Sequence, residues 1–328
     1  TALRRKVLSM NKQIPGIHHV TAIASDPQRN VDFYTNVLGL RLVKLTVNFD
    51  DPTTYHLYFG DERGSPGTLM TFFPWPGAAR GQRGTGQVAA TTFSVPEGTL
   101  DYWEDRLRQR DTVLFKRQSR FDEEVLAFLD PDWMQLELVA RPGADASAPW
   151  EGGGIPLDYA IRGFDGVTMW EKDPAPSLNL LTGTMGFRIV GEDGPRIRLQ
   201  AATDGPAALV DLLHMPDGQR GTLGAGTVHH VAWRTPDEAE QQAWREDIAT
   251  LGLRVTSVID RQYFRSIYFR EPGGVLFEIA TDPPGMDWDE PVEALGSRLR
   301  LPSRFEPQRK EIETALPALM LPGDGPDG

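Results

Sequence analysis

The stretch GTVHHVAW, Gly226 to Trp233, decides how this chain is read. GIHHVTAI, Gly16 to Ile23, carries the same two adjacent histidines followed by valine. His19 and His230 are 211 residues apart, and the chain has only six histidines, so four of the six sit in these two pairs. Both stretches alternate like strands and end in apolar residues. A repeated, uncommon tetrad points to an internal duplication, and the surrounding sequence bears that out.

The likeness extends outward from the pairs. His19 is followed 21 residues later by Leu40, in LGLRLV, and His230 is followed 23 residues later by Leu253, in LGLRVT. Each interval carries a helix signal. In SDPQRNVDFYTNVLG, Ser25 or Asp26 can cap, Pro27 suits the first turn and Gly39 marks the stop. In TPDEAEQQAWREDIATLG, Thr235 or Asp237 can cap, early acids suit the helix dipole, and Gly252 ends the run. Two weaker copies lie between. In GFDGVTMWEKDPAPSLNLLTGTMGFRIV, Gly166 takes the histidine position and Phe187 follows 21 residues later. In QVAATTFSVPEGTLDYWEDRLRQR, Ala90 takes it, with Pro96 six residues on, as Pro236 lies six residues after His230.

After each helix come strand–turn–strand runs: LYFGDERGSPGTLMTFFP, VLAFLDPDWMQLELVA, RIRLQAATDGPAALVDLL and SIYFREPGGVLFEIA. The predicted unit is therefore βαβββ, repeated four times at intervals of roughly 60–75 residues, an α+β architecture. The first pair of modules spans 14–140 and the second 159–283. A Pro/Gly-rich linker fills 141–158, and a tail runs over 284–328 with one possible short helix near Glu311 to Leu319.

Composition narrows the chemistry. A net charge of −12 disfavours nucleic acid. LRR near the N-terminus and SRLRLPSR near the C-terminus are the candidate basic patches, read as solvated surface. The absence of cysteine excludes thiolate metal sites, disulfides and thiol nucleophiles, so any metal must be held by His and carboxylate. No apolar run approaches the roughly 20 residues of a membrane helix. No secretory h-region is visible, which makes a cytoplasmic protein the expectation. The chain does not begin with Met, which is consistent with processing or an altered start.

The chemistry converges on three residues. Glu137 and Glu278 each lie six residues after a turn proline, Pro131 and Pro272, in the apolar runs LELVA and FEIA. A carboxylate there is costly to bury unless it is paired or bound to metal. The fourth module supplies both His230 and Glu278. The first supplies His19, but its matching strand, TLMTFFP, has no acid. Two imidazoles and one carboxylate leave up to three positions of an ion open, which suits non-heme Fe(II) with O₂ and an organic ligand. Mn(II), Zn(II) and Ni(II) also fit such donors. A single strand histidine is more often a core residue than a ligand, but two pairs at equivalent repeat positions with a matching Glu outweigh that reading. Strand alternation lets only one His of each pair face the cup, and spacing alone leaves open which. Glu137, His56 and His214 read as structural. Arg261, Tyr263 and Tyr268, in DRQYFRSIYF, read either as ordinary strand residues or as groups around a metal.

HHVT, FYTNVLGLRLVK, YHLYFGDERGSPGTLMTFFP, DLLHMPDG, VHHVAW and DRQYFRSIYFREPGGVLFEIATDPPG together resemble the vicinal oxygen chelate superfamily of glyoxalases, bleomycin resistance proteins and dioxygenases. Within it, they are most similar to ring-cleaving hydroquinone dioxygenases. The resemblance runs from about Ile14 to the tail. It implies four βαβββ modules forming two cup-shaped half-barrels, with modules 1 and 4 pairing around the metal and modules 2 and 3 forming a vacant cup. It implies Fe(II), or Mn(II) in relatives, on His19, His230 and Glu278. It places His18, His229, Arg261, Tyr268 and Thr21 around the metal as catalytic groups. The implied reaction opens a dihydroxylated ring with O₂. Expected partners are a small aromatic substrate, O₂ and further copies of the chain in a homo-oligomer, with no nucleic acid and no membrane. A glyoxalase-type lyase or isomerase, which usually adds a second carboxylate ligand, and a metal-free resistance protein are the alternatives.

Overall fold

The computed structural model describes residues 12–144, 148–203 and 207–323; the LRR patch lies outside them. Module 1 comprises β1 (Ile17–Ala24), α1 (Pro27–Asp32), β2 (Arg41–Asn48), β3 (Asp51–Gly60) and β4 (Leu69–Pro74). Module 2 has β5 (Gln87–Pro96), α2 (Leu100–Gln109), β6 (Gln118–Arg120), β7 (Glu123–Leu129) and β8 (Gln135–Arg141). Module 3 has β9 (Phe164–Glu171), α3 (Ala175–Gly183), β10 (Arg188–Asp193), β11 (Arg196–Gln200) and β12 (Leu209–His214). Module 4 has β13 (Thr227–Thr235), α4 (Glu238–Thr250), β14 (Ile259–Asp260), β15 (Arg265–Arg270) and β16 (Leu276–Thr281). The repeat is thus βαβββ four times, as the sequence signals require. A short helix, α5 (Arg309–Ala315), lies in the tail.

The helix ends follow from local chemistry. Asp26 accepts from the Arg29 amide at 2.8 Å with Pro27 in the first turn, and Asp237 accepts from the Glu240 amide at 2.8 Å. The chain leaves both helical segments at Gly39 (φ +70°) and Gly252 (φ +79°), left-handed positions that favour glycine. After α1 the helix widens into a π-turn over Phe33–Val37. That turn keeps Tyr34 fully buried, its hydroxyl donating to Asp130 at 3.2 Å.

Two eight-stranded sheets result. The first runs β14-β15-β16-β13-β1-β4-β3-β2 and joins modules 4 and 1 across the antiparallel pair β1/β13. The second runs β10-β11-β12-β9-β5-β8-β7-β6 and joins modules 3 and 2 across β5/β9. Each sheet therefore draws one module from each half of the chain. One apolar core continues through both, with Trp103 of α2, Trp233 of β13 and Trp244 of α4 fully buried.

The register exposes the internal symmetry. Thr21, two residues past His19, lies opposite Thr71 of β4. Ala232, two residues past His230, lies opposite Glu278 of β16. Thr71 thus occupies in module 1 the corner that Glu278 occupies in module 4. In the second sheet the matching corners are Glu137, opposite Thr92, and Asp211, opposite Thr168. Both histidine positions there are empty of imidazole, as Ala90 and Gly166 require.

In the second cup, arginines take up the two carboxylate corners. Arg120 forks onto Glu137, and Arg196 and Arg198 bind Asp211, Arg198 with its Nε 2.7 Å from Oδ1. Arg198 also reaches Glu123 at 2.7 Å. Guanidinium groups fill this cup, and a buried carboxylate needs such a cation when no metal supplies one. Glu137 is accordingly structural: burial would raise its carboxyl, but Arg120 holds it below the usual range.

Candidate metal centre

Three donor atoms converge in the first cup. His19 Nε2 lies 3.3 Å from His230 Nε2 and 3.3 Å from Glu278 Oε2, and His230 Nε2 lies 2.9 Å from that oxygen. The circle through these three atoms has a radius of about 1.8 Å. A point about 2.1 Å from each therefore exists, about 1 Å out of their plane, a spacing that suits a divalent cation. All three side chains are buried, Glu278 completely. Glu278 Oε2 has no hydrogen bond despite its burial, whereas Oε1 accepts from Ser266 Oγ. A buried carboxylate oxygen facing two imidazole nitrogens, with nothing donating to it, fits a cation at the shared point. Among the described residues these three are the one cluster of potential metal-holding groups.

The partner histidines explain the orientation. His19 Nδ1 lies 2.9 Å from His18 Nδ1, and His230 Nδ1 lies 2.8 Å from His229 Nδ1. With Nε2 free to bind an ion, each Nδ1 carries its proton and donates it to the neighbouring ring. His18 in turn bonds the backbone of Thr281. Burial pushes His18 well below its ordinary value, and burial followed by the His230 charge takes His229 down to about 3. Both are neutral, as acceptors of those protons must be. Burial would raise Glu278, yet His19 and then His230, when protonated toward it in place of a bound cation, hold it well below the carboxylate range.

The centre opens onto a cavity of about 300 Å³. Its wall is largely aromatic: Phe49, Phe73, Trp75 and Phe264 line it, with Phe73 and Trp75 stacked at 5.8 Å and Phe264 4.9 Å from the His19 ring. Arg261 and Tyr268 both face this space. Arg261 Nε donates to the Tyr268 hydroxyl at 3.2 Å, and its Nη1 reaches Asp50 at 3.0 Å. Tyr268 stands edge-on to His230 at 5.7 Å, and burial raises its hydroxyl well above the usual range.

Of the residues singled out from sequence, His19, His229, His230, Arg261 and Tyr268 line the cavity, and Glu278 sits beneath it. His18 and Thr21 are buried behind it. Thr21 Oγ1 pairs with Thr71 Oγ1 at 2.8 Å and does not reach the cavity. Tyr263 turns away, its hydroxyl donating to Asp289 of the tail at 3.0 Å. His214 is exposed on β12, in the second sheet. His56 departs from its reading as structural, because it lines the cavity. Its Nδ1 lies 2.9 Å from the Tyr58 hydroxyl and its Nε2 3.0 Å from Thr71 Oγ1. The signal for it is alternation on β3, which puts His56 on the same face as Tyr58, and Tyr58 pairs with Thr71 as Tyr268 pairs with Glu278.

The family profile of the Glyoxalase/Bleomycin resistance protein/Dioxygenase superfamily matches residues 16–138 and 163–279. The chain belongs to this superfamily. Within it, the chain is 50% identical to MhqO of Bacillus subtilis (strain 168), provisionally named a ring-cleaving dioxygenase, over 94% of this chain and 97% of that protein. It is 34% identical to the chlorohydroquinone/hydroquinone 1,2-dioxygenase of Sphingobium indicum, over 93% and 97% of the two chains. A crystal structure of a B. subtilis protein, provisionally titled a dioxygenase, superposes with a TM-score of 0.91 at 48% identity, covering 95% of this chain and 99% of that one. Glyoxalase I from Zea mays, at 15% identity and a TM-score of 0.61 over 81% and 92% of the chains, shares the superfamily fold.

Proposed function

We propose that the protein is an Fe(II)-dependent dioxygenase that opens a hydroquinone-like aromatic ring with O₂. The observation that carries this reading is the asymmetry of the first cup. His19, His230 and Glu278 supply three donors, while the fourth corner holds Thr71, whose hydroxyl is engaged by Thr21 and His56. A lyase of the glyoxalase kind calls for a carboxylate at that corner. The names of the relatives above point the same way.

His19, His230 and Glu278 would hold the metal. When bound, iron supplies a place where an ionised ring hydroxyl and O₂ meet, and the one-electron chemistry that lets them react. The chain's own groups do the rest. Phe49, Phe73 and Trp75 offer flat apolar faces to an aromatic ring and keep water from it. Arg261 brings a fixed positive charge to the cavity beside Tyr268, where it favours the ionised hydroxyl over the neutral one. Tyr268, kept protonated by burial, donates toward oxygen. His229 accepts the His230 proton at Nδ1, so its own proton sits on Nε2 and can be presented to the reacting oxygen. His18 performs the same orienting task for His19. Thr21, held away from the cavity, acts through Thr71 and His56 as a support for the wall.

The reading includes a cytoplasmic location and association with further copies of the chain. No helix among the described residues is long and apolar enough to cross a membrane. The deciding experiment is metal analysis of anaerobically purified protein together with an oxygen-electrode screen of hydroquinones and catechols. O₂ uptake with hydroquinones and close to one iron per chain is the expected result. Iron-loaded protein that turns over no dihydroxybenzene would overturn the proposal.

A further inference from the structure

A second cavity also reaches His230 of the metal centre. It also measures about 300 Å³ and shares only His229, His230 and Leu276 with the first. The partition between the two is therefore side chains of β13 and β16. The ionic character differs sharply on the two sides. The first cavity contains Asp50 against Arg261. The second is lined by Arg220 and Arg270 and by no carboxylate, in a protein of net charge −12. Both arginines are exposed, so they stand at its solvent side, while buried His230 marks its deep end. Neither forms an ion pair among the described residues. Arg270 spends Nη1 on the Gly274 carbonyl at 2.9 Å, which leaves its other donors free. Gly274 lacks a Cβ where one would sit 3.0 Å from Arg220 Nη2, so the Arg220 fork lies against bare backbone. Glu171, a carboxyl within reach of Arg220's charge, forms no ion pair with it, and burial and then Glu271 push its carboxyl up to about 8.

We infer that this second cavity binds carboxylate, and that it receives the ring-opened product. The inference rests on the dioxygenase reading. In that reaction both atoms of O₂ enter the ring carbons on either side of the broken C–C bond. The hydroxyl-bearing carbon becomes a carboxyl and its neighbour an aldehyde, with no further reductant, and the carboxyl proton goes to solvent. A diol that is neutral in solution thus leaves the site as a carboxylate. An apolar aromatic cavity suits the first species, and a cavity with two free guanidinium groups suits the second. His229 and Leu276 line both cavities, so the product has only their side chains to pass.

The test uses the full-length, Fe(II)-loaded protein kept anaerobic, with cis,cis-muconate, a six-carbon dicarboxylate, as probe. Calorimetric titration measures muconate binding with and without saturating hydroquinone, whose own binding is scored separately. Muconate is expected to bind in both cases. The double variant Arg220→Ala with Arg270→Ala is expected to bind it at least about tenfold more weakly, as loss of charged hydrogen bonds implies. Arg220→Lys with Arg270→Lys should keep much of the affinity, and the KM for hydroquinone should not move in either. Equal muconate affinity in the alanine pair overturns the inference, as does displacement of muconate by hydroquinone. Absence of hydroquinone binding or turnover, by contrast, tells against the dioxygenase reading itself and leaves the muconate comparison readable.

Discussion

Thr71→Glu would complete the fourth corner of the first cup. Thr71 is fully buried, opposite Thr21, where the internal symmetry matches it to Glu278. Without metal, the new carboxylate has no cation beside it and loses the hydroxyl contacts to Thr21 and His56. A burial shift of about three pKa units corresponds to about 4 kcal/mol at pH 7. At about 2 °C per kcal/mol for a chain of this size, the metal-free variant should melt about 8 °C below the parent. Metal offsets part of this cost. A fourth ligand tightens binding, and a metal at 100 times its dissociation constant contributes about 2.7 kcal/mol of stability. Anaerobic thermal melts with and without Mn(II) should therefore show a larger metal-induced rise in the variant than in the parent. O₂ uptake with hydroquinone should fall at least about tenfold, equivalent to about 1.4 kcal/mol of barrier, because an open position and net positive charge are both lost. Thr71→Val is the control: it removes the hydroxyl bonds at a cost of about 1 kcal/mol and adds no metal dependence. A variant whose melting ignores metal, with O₂ uptake unchanged, would refute the symmetry argument.

Three other outcomes are expected. His18→Leu removes the group that orients His19 and should weaken metal binding by about 10–100-fold in a chelator competition titration, whereas unaltered affinity would deny His18 that role. Lys44→Met takes away a fully buried ammonium that lies 2.8 Å from Asp289 and 3.2 Å from Glu290 of the tail; Arg300 remains 3.3 Å from Glu290, so the expected cost in denaturant unfolding is about 3 kcal/mol, the low end for a broken buried pair. Asp130 is pushed up to about 7 by burial, above an unfolded value of about 4, so it contributes stability that is complete below pH 4 and is lost as pH rises through 7. Asp130→Asn, which keeps an acceptor for the Asp132 and Met134 amides at 2.9 and 2.8 Å, should flatten the fall in melting temperature between pH 4 and 7.

Much of the molecule is legible from sequence because its signals are local and repeated. Capping residues, stop glycines and turn pairs act within a few residues, and two clear copies support the two weaker ones, so the module order follows without coordinates. The two histidine pairs and Glu278 stand out because a carboxylate in an apolar strand is physically conspicuous. Tertiary structure decided what depends on register and on groups far apart in the chain. Spacing alone could not say which imidazole of each pair turns inward, and the Nδ1 contacts of His18 and His229 fix that. His56 looked like an ordinary strand residue until β3 packed beside β4 and set it in the cavity wall. Asp211 and the arginines that fill the second cup come from different strands with no shared motif. The docking of the tail on Lys44 joins residues some 245 positions apart. Sequence determines these contacts only through the whole fold, since burial, and with it the need of each charge for a partner, exists only once the sheets have closed.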